Sequence, residues 1–228
     1  MSEPNPNMAM TAWSYSRWDM WDTCPKQAFF KFVAKIPEEE NDAMRGGTIA
    51  HNEIAEFIRG DRDDALETIR GWRFFGSLFM ELRELKALVE QEWSFRRNWS
   101  ATGWFSGDTW LRSKMDAFIV YADGTADVVD HKTGKSKPRH ALQAELYALT
   151  VFKRYSHVHH VTVRFWYLDS GEEGVHRYSR SGDMAELEAK WTKRGEQMLA
   201  DKRMAPRPGS HCHWCSYAFS KGGPCKYG

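Results

Sequence analysis

Four cysteines place the strongest constraint on this chain. Cys24 stands alone near the start, whereas Cys212, Cys215 and Cys225 lie together near the end. Residues 1–11 lack a basic stretch followed by an apolar run, so no secretory leader is read there and a loose end is expected. A reducing, cytoplasmic setting follows, in which disulfides are rarely kept. Acting together, the four make a site of four thiolates. Thiolates with a C-x-x-C spacing suit a 4Fe-4S cluster or tetrahedral Zn2+, each of which needs soft anionic ligands converging on one point. His211 and His213 flank Cys212 and could replace one thiolate around zinc, but four cysteines suffice, which favours iron-sulfur. Either metal would pin the last segment to the first. We therefore expect one domain over 1–228, with a lobe from about 12–36 and 205–228 and a core over about 44–204.

Charge narrows the function classes. Thirty-two Lys and Arg against thirty-one Asp and Glu leave a net +1, which excludes a polycation and an acidic solvating chain. Any contact with nucleic acid must come from local patches. No unbroken apolar run of about 18 residues is present, so no membrane span is expected.

Ser14 is placed to cap a helix through about residue 32 that delivers Cys24, ended by Ile36-Pro37 and an acidic run. Gly46-Gly47 precede a helix over about 48–59, with His51 on the edge of its apolar stripe. Helical spacing returns over about 75–91. The period then shortens, and 92–99, 113–121, 126–132 and 161–168 read as strands rich in β-branched and aromatic residues. Helices are expected over about 139–155 and 183–202. This order makes an α/β fold with a mixed sheet flanked by helices, and the 139–155 helix is long enough to cross between two parallel strands.

The strand at Val128-Val129 ends in Asp130 and Lys132, which period two places on one face roughly 6 to 7 Å apart. Asp116 opens the preceding strand. Ala122-Asp123-Gly124 fits a three-residue loop with Gly124 left-handed, which lets Tyr121 face Thr125 and sets Asp116 opposite Asp130. A two-residue loop would put the acids on opposite faces. Two carboxylates and an imidazole suit Mg2+ or Mn2+, ions that polarise phosphate and lower the pKa of bound water, and Lys132 could stabilise developing charge. Lys132, Lys135, Lys137 and Arg139 concentrate positive charge just beyond, where a phosphate would pass. Gln143 and Tyr147, four apart on one helix face, can bond backbone or DNA. Trp99, Trp104, Phe105 and Trp110 could stack on bases, although stapling a hairpin is the favoured reading.

Gly47-x-x-x-His51, Asp116, Asp130-His131-Lys132-Thr133-Gly134 and Gln143-x-x-x-Tyr147 together resemble the RecB-like branch of the PD-(D/E)XK nucleases. Ser14-x-Ser16, Cys24-Pro25 and the terminal cysteines are similar to its iron-sulfur members, including AddB-type and CRISPR adaptation nucleases. The resemblance spans residues 14–225. It implies a restriction-endonuclease-like fold in which His51, Asp116 and Asp130 ligate the metal, the His131 carbonyl assists, Lys132 is catalytic and Glu92 supplies a further acid. Two departures stand out: Asp130 sits where Glu is more usual, and the gap from Cys215 to Cys225 is long. The expected activity is metal-dependent hydrolysis of DNA, single-stranded or at free ends, by an exonuclease of recombination, repair or phage DNA processing, with recombination or CRISPR adaptation proteins as partners. A nuclease-derived module that binds DNA without cutting, held together by its structural metal, is the alternative.

Overall fold

In a computed structural model, residues 10–38 and 41–227 are described. The expected loose end falls mostly on residues 1–9, outside the described residues, as do Glu39 and Glu40 of the acidic run.

The single helix expected over residues 14–32 is divided. Ser14 caps α1 (Tyr15–Thr23) by accepting the Arg17 N–H, and Cys24 then turns extended, at φ −153° and ψ 105°, before α2 (Pro25–Ala28). A proline ring clashes with a helical predecessor, so the break falls at Cys24. A π-helical turn, Phe29–Val33, continues directly from α2.

Helix α3 (Asp42–Arg59) begins earlier than its periodicity indicates. The Asn41 side chain accepts the Met44 N–H at 2.9 Å and starts the helix there, with Gly46-Gly47 inside it. Helix α4 covers Trp72–Glu84. The expected continuation to residue 91 is overturned: Lys86 turns the chain at φ +54°, and residues 88–91 belong to the first strand.

Six strands form one sheet: β1 (Leu88–Phe95), β2 (Ala101–Thr102), β3 (Leu111–Val120), β4 (Thr125–Lys132), β5 (His160–Tyr167) and β6 (Glu172–Ser179). Their order is β2-β1-β3-β4-β5-β6. Only β4 and β5 are parallel, joined through α5 (Arg139–Arg154); every other pairing is antiparallel. Strand β6 was not foreseen from the sequence. It is an edge strand with no buried residue, so it lacks the apolar alternation that marks a half-covered strand. Helix α6 (Arg180–Ala200) follows it directly. The α/β expectation holds, with helices on both faces of the sheet.

Hydrophobic cores fill both sides. One packs α5, α6 and the N-terminal segment on Trp93, Phe118, Val128 and Phe165. The other packs α3 and α4 on Val129 and Trp166. The N-terminal segment is itself paired to the sheet: the Trp13 N–H donates to the Trp110 carbonyl, and the Arg112 N–H to that of Trp13. Trp13 then stacks on Trp191 at 6.0 Å and meets Trp110 edge-on at 5.2 Å. Trp99 and Trp110 are thus core staples. Among the described residues, no helix is long and apolar enough to cross a membrane.

Gly195 of α6 is what lets this tryptophan cluster close. A Cβ there would lie 2.5 Å from Trp13 Nε1 and 2.8 Å from Trp110. Gly195→Ala is expected to lose about 1–3 kcal/mol of stability in urea unfolding despite the better helix propensity of alanine, because overpacking a rigid aromatic cluster costs more than propensity returns. A more stable variant would contradict this account.

Candidate active site

The loop between β3 and β4 fixes the site. Gly124 is left-handed at φ +79°, the Tyr121 N–H donates to the Thr125 carbonyl at 2.9 Å, and the ladder runs from Val120 opposite Ala126 to Ala117 opposite Val129. There it stops. Strand β3 continues along β1 as far as Leu111, and β4 continues along β5 as far as Lys132. The strands therefore part at the next pair in register, Asp116 and Asp130. The Asp116 carboxylate accepts the His131 N–H at 2.7 Å at the point of divergence.

A cleft of about 800 Å3 opens at this mouth. It is lined by His51 from α3, Lys114 and Asp116 from β3, Asp130, His131 and Lys132 from β4, Lys135 and Lys137 from the following loop, and Gln143 and Tyr147 from α5. Gly47 of α3 faces Thr133 of the loop after β4, whose Oγ1 would lie 3.4 Å from a Cβ there. His51 Nδ1 is 3.1 Å from Asp116 Oδ2, and Lys132 Nζ is 2.5 Å from Asp130 Oδ1. Gln143 bridges the second pair: its Nε2 donates to Asp130 Oδ2 at 3.0 Å and its Oε1 accepts from Lys132 Nζ at 3.1 Å. The Tyr147 hydroxyl lies 2.7 Å from Asp130 Oδ2 and accepts from Gln143 Nε2 at 2.8 Å. Gln143 and Tyr147 thus hold Asp130 and Lys132, and the Tyr147 hydroxyl also lies 3.0 Å from the Lys114 carbonyl, a backbone partner of the kind expected beside DNA.

Three placements differ from the sequence reading. Glu92 does not reach the cleft; it is exposed on β1 opposite Lys114. Glu90 lines the cleft instead, in register with Asp116 and paired with Lys114. It was missed because β1 was started four residues late, and its left-handed backbone, φ +54°, leaves no periodic signal. Arg139 does not offer a free charge, because its guanidinium is held by Asp19 and, at 2.5 Å, by Asp22 of α1. His131, expected to assist through its carbonyl, also presents its imidazole, with Nδ1 3.7 Å from Asp116 Oδ2. One ligand atom each from His51, Asp116 and His131 lie within 4.8 Å of one another.

Cys24, Cys212, Cys215 and Cys225 line one small hollow, and none is in a disulfide. Backbone N–H groups of Arg207 and Gly209 donate to Cys24 Sγ and Cys212 Sγ at 3.5 and 3.4 Å. Tyr217 and Ser216 tie the tail to the N-terminal segment through the Ile36 carbonyl and Glu38. Among the described residues, no three of the sulfurs come within 4.8 Å of one another.

Residues 12–220 match the PD-(D/E)XK nuclease superfamily. No curated protein matches the chain. Among solved structures, a protein of Eubacterium rectale named "Putative exonuclease" is similar over 90% of this chain and 87% of its own, with a TM-score of 0.50 and 11% identity. The protein SSO0001 is similar over 96% of this chain and 88% of its own, with a TM-score of 0.47 and 14% identity.

The charges at the mouth are strongly interdependent. Burial alone would lower His51, but the hydrogen bond and charge of Asp116, with Asp130 behind it, outweigh burial and raise it. Burial would likewise raise Asp116, yet His51 holds its carboxyl below the usual range. Burial and then the nearby Asp116 charge push Asp130 up against the pull of Lys132. Burial takes His131 down to about 4, so it is neutral at pH 7. In metal-free protein the His51–Asp116 pair stabilises the fold above the acid range, where Asp116 is ionised, and its contribution fades as pH rises through the raised His51 value. Asp116→Asn keeps an acceptor for the His131 N–H but removes the anion, so burial prevails and His51 is expected to titrate below the ordinary histidine value of about 6.5. An NMR pH titration of His51 checks this, and an unchanged or higher value would refute the pairing.

Proposed function

The chain belongs to the PD-(D/E)XK nuclease superfamily, and we propose that it is a Mg2+- or Mn2+-dependent deoxyribonuclease acting as an exonuclease on single-stranded DNA or free ends. The observation that carries the reading is the parting of β3 and β4 at two acids: a carboxylate–imidazole pair, Asp116 and His51, adjoins a carboxylate–ammonium pair, Asp130 and Lys132. Binding alone has no use for that combination. The preference for single strands or ends, and a role in recombination, repair or phage DNA processing, rest on the resemblance of the motif set to RecB-like nucleases.

The residues present fit a hard divalent cation. Asp130 is buried and Asp116 beside it partly buried, and the buried Nε2 of His131 has no hydrogen-bond partner among the described residues. Oxygen and imidazole donors of this kind suit Mg2+ or Mn2+, and His51, Asp116 and Asp130 would hold the ion, with His131 and Glu90 beside them. Such an ion supplies Lewis-acid polarisation of the phosphate and lowers the pKa of bound water. Lys132, fixed by Asp130 and Gln143, places an ammonium where charge develops on the scissile phosphate. Tyr147 and Gln143 orient the Asp130 carboxylate, and His51 keeps Asp116 ionised at neutral pH.

The four-cysteine hollow supplies donors for a metal as well: four free thiols line it, and two accept backbone N–H bonds. With zinc as the alternative, four thiolates that include a C-x-x-C pair suit a 4Fe-4S cluster. Its role is structural, joining α1, α2 and the tail into one lobe of a single domain.

Asp116→Ala and Lys132→Ala are each expected to lower metal-dependent cleavage of end-labelled DNA by about 10²–10³-fold or more in protein that still folds, with a lower melting temperature because each removes one partner of an ion pair; full activity in either would defeat the assignment. Protein purified without oxygen is expected to be brown, and Cys24→Ser to lose the colour and lower the melting temperature, because binding energy at such a site is folding energy. Colourless protein with stoichiometric zinc would replace iron by zinc.

A further inference from the structure

The cleft does not end at Lys132. Through Lys114, Lys132, Lys137, His140, Gln143 and Tyr147 it is continuous with a second groove of about 750 Å3 walled by α1, by the start of β3 and by the loop before it. The hydrolytic site meets only the near side of this groove, through Lys132, Gln143 and Tyr147. Its far end holds Arg17 of α1 and Arg112 of β3, and among the described residues neither guanidinium is within ion-pair distance of a carboxylate. Each is fixed by a backbone carbonyl: Arg17 Nη1 donates to Ala12 at 2.8 Å and Arg112 Nε to Trp104 at 2.9 Å. Burial holds Arg17 below its ordinary value, and the neighbouring Arg112 adds to that. Two positioned cations, close enough to repel, with no protein counterion, call for an anion from outside.

A flat hydrophobic wall stands beside them. Arg112 lies over the Trp104 ring, 5.6 Å from its centre, and Trp104 lines the groove, while Phe105 next to it is 90% exposed. Trp99 and Trp110 are buried, so of the aromatic residues in this stretch only Trp104 and Phe105 face outward. On β3, Arg112, Lys114 and Asp116 alternate with the buried Leu111, Ser113 and Met115, so cations recur about every 7 Å leading away from the metal-ligand acid.

We propose that this groove is a second binding site for the DNA strand whose scissile phosphate lies in the cleft, with Arg17 and Arg112 taking one backbone phosphate and Trp104 stacking on an adjoining base. A space of this volume takes about two nucleotides of one strand, and a base must be unpaired to stack on Trp104, so the groove suits single strands. Arginine is suited to the bidentate hold on phosphate and an aromatic ring to any base, so the site reads strandedness and length, not sequence. The inference deepens the nuclease reading and rests on it for the direction of the strand, but the binding test below does not.

Binding of a 16-residue oligothymidylate to the full-length protein is measured in EDTA, where no cleavage occurs, over a series of salt concentrations. Arg112→Gln is expected to weaken it five- to tenfold and to reduce the slope of log affinity against log salt by about 0.7, one phosphate contact to a single strand. Arg112→Lys keeps the charge and the slope. Trp104→Ala is expected to weaken binding by about tenfold with the slope unchanged. Cleavage of the 4-nitrophenyl ester of thymidine 5′-phosphate in Mn2+, a substrate too short to span both hollows, is expected to be equal in wild type, Arg112→Gln and Trp104→Ala. Unchanged oligonucleotide affinity and slope in Arg112→Gln would overturn the groove assignment, as would equal losses on the short ester and the long strand. Failure of the wild type to cleave either substrate would instead defeat the nuclease reading, and the EDTA measurements would still decide the groove.

Discussion

The odd length of one turn governs this molecule. With three residues between Tyr121 and Thr125, and Gly124 able to adopt φ +79°, β3 and β4 pair in the register that sets Asp116 against Asp130. One residue fewer would send the two acids to opposite faces of the sheet. Every later feature of the cleft depends on that alignment: His51 has an acid to meet, Lys132 has one beside it, and Gln143 and Tyr147 have one to hold. The turn is distant from the mouth, yet it decides what the mouth contains.

Burial then gives the aligned groups their properties. Burial pushes the Asp130 carboxyl up against the pull of Lys132 while His51 holds that of Asp116 down, so two carboxyls in register are driven in opposite directions before any cation arrives. Neighbouring titratable groups pushed apart in this way are characteristic of sites that perform chemistry. The supporting layer is unusually direct. Gln143 touches both Asp130 and Lys132, and Tyr147 touches Asp130, so α5 alone positions the acid and the ammonium. On the other face α3 contributes His51, whose Nδ1 meets Asp116.

Much of this was legible in the sequence where local chemistry dictates geometry. The β3–β4 register followed from a turn motif, the parallel β4–β5 pair from the length of the connection, and the i, i+4 relation of Gln143 and Tyr147 from helical periodicity. What could not be read was set by long-range partners. Glu90 enters the cleft from a left-handed backbone position that no periodic pattern marks, and Glu92, the more regular choice, points to solvent. Arg139 looked like a free phosphate contact, but its counterions lie 120 and 117 positions away on α1. Strand β6 is held by its pairing with β5 and not by an apolar face, so its sequence resembles a loop.

The ladder between β3 and β4 ends on a side chain. Where the next carbonyl would have taken the His131 amide, the Asp116 carboxylate takes it at 2.7 Å. That main-chain donor is therefore spent within the protein. In folds that cradle phosphate on exposed amides, shape and hydrogen-bond direction do the sorting; at this point of the sheet they have no purchase, and discrimination passes to formal charge carried on movable side chains.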